Sequence, residues 1–320
     1  MKLKCLLPLL FVFAPYSLAS EAEVAADQSL VKLNTWHISV AMGYGVKTNP
    51  LHSGDNFPLI LVPSVKYYGE QIYFDNGDLG YTFNETESYN LSLVAKLNRE
   101  FAHFVDWHPT NILGSVSFSS GHSLSVSSDN LDQTISELEK IAGEGDFVTN
   151  PGNGDPIDAP ADSKNYKLSF AELSKRQWSI DLGLQANWYF AQQSQLSLGI
   201  YTDVFNRHGG QNINLNLSHY SYYFNRWKVR YKLGIEWLSS DLVNYYYGVS
   251  AADKVHSDYY YQAKSAVLPY VSISPSYPIS SSWQILGSFS YQKLDESIKS
   301  SPIVIKDNRM TLFAGVNYVF

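Results

Sequence analysis

The sequence predicts an all-β fold: a transmembrane antiparallel up-and-down β-barrel of about 12 strands, with one long acidic extracellular loop. Three observations predict it. Between Arg226 and Leu238, Trp227, Val229, Tyr231, Leu233, Ile235 and Trp237 alternate with Lys228, Arg230, Lys232, Gly234 and Glu236. Successive strand residues face opposite sides, so one face is apolar with a Trp at each end and the other is densely charged. Six of the seven tryptophans (Trp36, Trp178, Trp188, Trp227, Trp237, Trp283) fall at proposed strand ends, where an interfacial aromatic girdle belongs. Short turns alternate with long loops along the chain, as they do between the two sides of an outer membrane. Facing is decided by charge: Lys or Arg costs about 2–4 kcal/mol at the bilayer midplane and little in a wet lumen.

Residues 1–19 read as a secretory signal peptide. Lys2 and Lys4 precede the apolar run Cys5 to Tyr16, and Ser17-Leu18-Ala19 fits a small-x-small cleavage site. The barrel is then expected over 20–320, in a Gram-negative outer membrane. Cys5 is the only cysteine, so the mature chain has no disulfide framework, thiolate metal site or cysteine nucleophile. The formal net charge of −7 becomes −9 once Lys2 and Lys4 leave, and no basic patch offsets it, which excludes a nucleic-acid binder.

In chain order, Ser20 to Asn34 is an acidic lead-in. Trp36 to Lys47 alternates as a first strand, and Pro58 to Tyr68 follows, interrupted at Pro63 by a bulge or an edge-like irregularity. Glu70 to Phe83 reads as one bent strand around Asp75-Asn76-Gly77-Asp78, with a hairpin as the alternative. Leu91 to Leu97 and Ile112 to Phe118 are the next two strands. The insertion 119–165 is rich in Ser, Asp, Glu, Gly and Pro. Within it Leu131, Ile135, Leu138 and Ala142 fall at helical spacing, on a surface loop or, alternatively, a lumen plug. Strands follow at Trp178 to Phe190, Leu196 to Val204, Ile213 to Leu217 and Trp227 to Trp237. After a Tyr-rich loop, Ser239 to Lys264, come Val267 to Ile273, Trp283 to Tyr291, a loop over Leu294 to Asn308, and a last strand from Met310 to Phe320.

The candidate lumen charges are Lys228, Arg230, Lys232, Glu236, Asp181 and Asp203. They read either as a charged pore wall or as an interior salt-bridge network. The histidines are scattered, no Gly-x-Ser-x-Gly elbow exists, and no His pair has metal-ligand spacing, so no catalytic residue, cofactor or metal is assigned. Tyr245-Tyr246-Tyr247 is expected to pack over the barrel mouth, with a lipopolysaccharide-facing surface as the alternative.

The terminal Tyr318 and Phe320 resemble the signal that barrel-assembly machinery reads in outer-membrane proteins. That end, together with Phe74-Asp75-Asn76-Gly77-Asp78-Leu79-Gly80-Tyr81, Tyr245-Tyr246-Tyr247-Gly248-Val249 and Ser301-Pro302-Ile303-Val304, resembles the MipA/OmpV family of MltA-interacting outer-membrane proteins. The resemblance implies a non-enzymatic scaffold for peptidoglycan synthesis and hydrolysis, with a lytic transglycosylase and a penicillin-binding protein as partners. A narrow porin-like channel for small polar solutes is the alternative, and an outer-membrane lipid hydrolase the second alternative.

Overall fold

The computed structural model describes residues 33–105, 108–113, 167–191, 193–224 and 226–320. Twelve antiparallel strands close into one barrel: β1 (Thr35–Lys47), β2 (Phe57–Tyr68), β3 (Ile72–Asp75), β4 (Asp78–Glu85), β5 (Tyr89–Leu97), β6 (Ile180–Phe190), β7 (Ser194–Asp203), β8 (Gln211–Tyr223), β9 (Trp227–Leu238), β10 (Ala266–Pro278), β11 (Trp283–Lys293) and β12 (Asn308–Val319). Closure is made by β1 against β12, from Ser39 opposite Val319 to Lys47 opposite Thr311. A closed ladder matters in lipid, where an unpaired backbone amide has no water to bond.

The alternation seen in the sequence sets the facing. Leu233 and Ile235 on β9, Leu215 and Leu217 on β8, and Ile273 on β10 are all more than a third exposed. So large an apolar belt meets hydrocarbon, not water. At the end with the short turns, Trp36 pairs with Tyr67, Trp227 with Tyr277 and Trp283 with Tyr318, at ring separations of 5.1, 5.2 and 4.9 Å. This is the periplasmic girdle, and Trp188 lies at the same level. Trp178 and Trp237 lie at the opposite, extracellular end. Trp178 precedes β6 by two residues instead of starting it.

Two sequence expectations are corrected. Glu70 to Phe83 is a hairpin, not one bent strand: Asn76 and Gly77 both have positive φ (54° and 103°), and Asp75 pairs with Asp78 across them. Both central residues of a type I′ turn need that conformation, which Asn-Gly supplies at least cost. Ile112 does not open a strand. It ends a helical turn, α1 (Pro109–Ile112), where the His108 side chain accepts from the Thr110 amide; 114–118 lie outside the described residues, as does the whole of 119–165. The hairpin adds a strand and α1 removes one, so the total stays at twelve.

The hairpin also explains Pro63. Pairing of β2 with β3 runs only from Tyr68 to Lys66, and Asn76 extends it one step by bonding Val65 through both its backbone amide and its side-chain oxygen. Residue 63 is the next whose amide points to that side, and proline has none to leave unpaired. The register break in this region falls on β1, between Met42 and Gly45, rather than at Pro63. Above the hairpin, α1 packs against β2. Lys47 bonds Asn111 (2.9 Å), Asn111 bonds the Ala102 carbonyl (2.9 Å) and Asn49 bonds the His103 carbonyl (2.9 Å).

Two stretches expected as loops carry helices. Ser239 to Lys264 contains α2 (Ser240–Tyr247), capped by Ser239, and Leu294 to Asn308 contains α3 (Glu296–Lys299), capped by Asp295.

Candidate functional site: a lidded, charged lumen

The extracellular mouth is covered by a folded lid. Helix α2 buries Leu242, Val243, Tyr246 and Tyr247 completely. Around them pack Leu51 from the β1–β2 loop, Leu168 from the β5–β6 connection, and Ile298 and Ile303 from the β11–β12 loop. The β7–β8 loop joins through His208, whose ring lies 6.0 Å from that of Tyr246. Each such side chain contributes roughly 1.5–3 kcal/mol on burial, so the lid is a core in its own right. The Tyr245-Tyr246-Tyr247 run therefore packs over the mouth.

Charged ties fix this core to the wall. Arg309 on β12 grips Glu100 with two parallel bonds of 2.9 and 2.6 Å, and the Tyr247 hydroxyl donates to the same carboxylate. Bidentate geometry of this kind is the strong form of an ion pair. Burial holds the Tyr247 hydroxyl well above its ordinary pKa, so it stays a neutral donor. Arg176 bridges Asp253 (2.8 Å) and the Gly248 carbonyl (2.8 Å) inside the lid. Nearer α1, burial pushes His103 well down, and burial with the neighbouring Lys47 ammonium pushes His108 down to about 4. His108 is thus a neutral acceptor, as its cap requires.

Asp181, Asp203 and His208 come together at the rim, with ligand atoms within 4.8 Å of one another. The residue types suit a metal, but hydrogen bonds already occupy them. Asp181 accepts from His208 Nε2 (3.0 Å), Asn98 (2.8 Å) and Asn212 (2.8 Å). Asp203 accepts from the Ser179 hydroxyl and from the amides of Phe205, His208 and Gly209. His208 Nδ1 accepts from the Gly210 amide, which puts the ring proton on Nε2. The cluster is a latch that ties β6, β7 and the β7–β8 loop together. It is not a serine triad either, because Ser179 donates to Asp203 and not to His208.

The six candidate lumen charges separate into two groups. Asp181 and Asp203 are committed to this latch. Lys228, Arg230 and Lys232 occupy the row of β9 opposite the exposed Leu233 and Ile235, and Glu236 continues the row upward. Glu236 accepts from Gln292 (3.2 Å), which accepts from Arg309 (3.1 Å). Among the described residues no carboxylate lies within 4.0 Å of Lys228, Arg230 or Lys232. The lumen's ion pairs are instead Lys66–Asp75 (3.5 Å), Arg99–Asp78 (3.7 Å) and Arg309–Glu100.

Lys66, Asp75, Asp78, Lys96, Glu100 and Arg309 were not assigned from sequence, although strand parity places Lys66, Lys96 and Arg309 on the polar face of their strands. Lys96 lies 3.3 Å above the Tyr201 ring and bonds Asn212. Two lumen tyrosines lie across glycines of neighbouring strands, Tyr73 over Gly80 and Tyr270 over Gly234, and the Tyr201 ring lies over Gly199 of its own strand, each filling space that a Cβ would take.

The chain is similar to known outer-membrane proteins. It is 22% identical over 285 residues to the putative outer membrane protein YiaT of Escherichia coli O157:H7, covering 88% of this chain and 91% of that one. It is 30% identical over 89 residues to the MltA-interacting protein of E. coli K12, covering 28% and 36%. Outer membrane protein OmpV of Vibrio cholerae matches at 29% over 180 residues, covering 56% and 66%. Among solved structures, the COG4313 outer membrane channel of Pseudomonas putida F1 aligns over 92% of this chain and 98% of its own, with 9% identity and a TM-score of 0.31. The model of the family described as MltA-interacting protein MipA matches residues 40–320. With a closed twelve-stranded barrel formed by the described residues of that span, the chain belongs to the MipA family of outer-membrane proteins.

Proposed function

We propose that this barrel is a non-enzymatic scaffold that gathers peptidoglycan synthesis and hydrolysis enzymes on its periplasmic face. The lid carries this reading: a mouth covered by a packed apolar core and anchored by a buried Arg309–Glu100 pair suits a barrel that holds partners better than one that passes solutes. One relative is named for an interaction with MltA, which favours a lytic transglycosylase as a partner, with a penicillin-binding protein as the second. The lid would face lipopolysaccharide, and Tyr318 and Phe320 would engage barrel-assembly machinery. The lipid-hydrolase reading loses one candidate nucleophile, because Ser179 serves the latch.

The test joins two measurements. Photo-crosslinkers at the exposed periplasmic turn residues Phe224 and Ile279 should capture a lytic transglycosylase in the intact envelope. The refolded barrel should be silent in a planar bilayer. Open single-channel steps without capture would replace the scaffold with the narrow channel, which the β9 cations favour, since among the described residues no carboxylate lies within 4.0 Å of them.

A further inference from the structure

Beyond scaffolding, we infer that the periplasmic half of the lumen is a binding site for an extended acidic peptide segment that enters from the periplasm. Four observations lead there.

Lys228, Arg230 and Lys232 form an inward ladder with no carboxylate within 4.0 Å among the described residues. The Tyr220 ring lies 4.6 Å from the Lys228 ammonium and the Tyr270 ring 5.9 Å from that of Lys232. Such faces hold a cation in place without cancelling its charge.

Lys228 is the second residue of β9, at the periplasmic rim, so the ladder climbs inward from an accessible end. The lid covers the other end of the barrel.

On the β10 side, the wall beside the ladder is small and polar. Ser272, Ser274 and Ser276 of β10 stand opposite Lys232, Arg230 and Lys228 in register. Ser274 is 3% exposed, and among the described residues its hydroxyl has no hydrogen-bond partner. A buried hydroxyl left open beside Arg230 is a polar group awaiting a ligand.

The pitch selects the ligand. Cations on alternate strand residues stand about 7 Å apart. A single phosphate or carboxylate spans one rung. A peptide in extended conformation, with a carboxylate at every second residue, repeats the same spacing and meets all three.

The test uses the refolded mature barrel in detergent micelles and fluorescence anisotropy. The probe is a labelled nine-residue peptide with Glu alternating with Ser. The comparators are a peptide with Glu at every third position and linear polyphosphate. The alternating peptide should bind, and binding should weaken with added salt. Arg230→Gln should weaken it roughly tenfold, since each charge-assisted bond is worth about that much. The triple variant Lys228→Gln, Arg230→Gln, Lys232→Gln should abolish it. Each variant is first shown to keep the unheated gel mobility of a folded barrel, and Ser274→Ala serves as a second, milder probe with a smaller loss.

Absence of peptide binding, equal binding by the triple variant, or binding of polyphosphate alone would overturn the inference. Transglycosylase capture is read separately, so a failed scaffold and a failed ladder remain distinguishable.

Discussion

The lid and the lumen wall below it solve opposite problems with the same side chains. Tyr247 in the lid is fully buried among Leu and Ile and spends its hydroxyl on one carboxylate. Tyr270 in the wall lies over Gly234, bonds Asn214 at 3.3 Å and faces Lys232. In the lid, apolar burial supplies the stability and the buried charges Glu100 and Asp253 are paired with Arg309 and Arg176. In the wall, the closed hydrogen-bond ladder supplies the stability, and among the described residues Lys228, Arg230 and Lys232 have no carboxylate within 4.0 Å. Disturbing one charge should therefore matter greatly in the lid and little in the wall.

The largest effect is expected from Glu100→Ala. It strands the Arg309 guanidinium in the lid's floor and removes the acceptor of Tyr247. Breaking a buried pair from one side costs about 3–5 kcal/mol. The barrel should remain folded by gel mobility while α2 becomes sensitive to protease. Protection equal to the wild type would show that the lid does not depend on this tie.

Next in size is a pH effect near α1. The His108 ring sits at about 4 against an ordinary value near 6.5, so the unfolded segment binds the proton more readily than the folded one. The stabilisation is fully present above pH about 6.5 and is lost as pH falls toward about 4, by up to roughly 3 kcal/mol. Hydrogen exchange at α1 should accelerate across that window, and His108→Asn, which keeps a capping acceptor but does not titrate there, should flatten the response attributable to this ring. An unchanged profile in the variant would assign the effect to His103, which burial also depresses.

A wall change of intermediate size is Gly43→Ala. An added Cβ would come within 2.7 Å of the Gly315 backbone where β1 meets β12. Strain of that kind costs about 1–3 kcal/mol, and should appear as a lower midpoint in urea. The lid's protease protection should stay as it was.

The wall was far more legible in the sequence than the lid. Period-two alternation over Trp227 to Trp237 and Trp178 to Phe190 reflects a solvent boundary that repeats with every residue, so facing follows from parity alone. The hairpin at Asn76-Gly77 was visible as a dipeptide but obscured by the brevity of β3, four residues long. Helix α1 was hidden because Ile112 leads into Val116-Ser117-Phe118, whose alternation reads as a strand. The lid could not be read in the same way. Its core joins Leu51, Leu168, Leu242 and Ile303, residues that have no common period and meet only because the barrel brings the loop ends together. The Asp181–Asp203–His208 latch was half visible: both carboxylates were picked out, but their partner lies in a loop, and His208 carries no spacing signal.

The smallest effect is expected where charge is densest. Neutralising Lys228, Arg230 and Lys232 together should change the barrel's stability by no more than about 0.5 kcal/mol, because no ion pair is lost and the substituted glutamines keep most of the stem packing. The sign should be slightly favourable at low salt, where three like charges on one strand row repel each other, and should vanish at high salt as screening removes that repulsion. Urea titrations at two ionic strengths measure both. A loss of 2 kcal/mol or more, of the order seen when a buried hydrogen-bonded charge is unpaired, would mean that the ladder holds the wall together, and the contrast between an occupied lid and an available wall would fail at its most charged point.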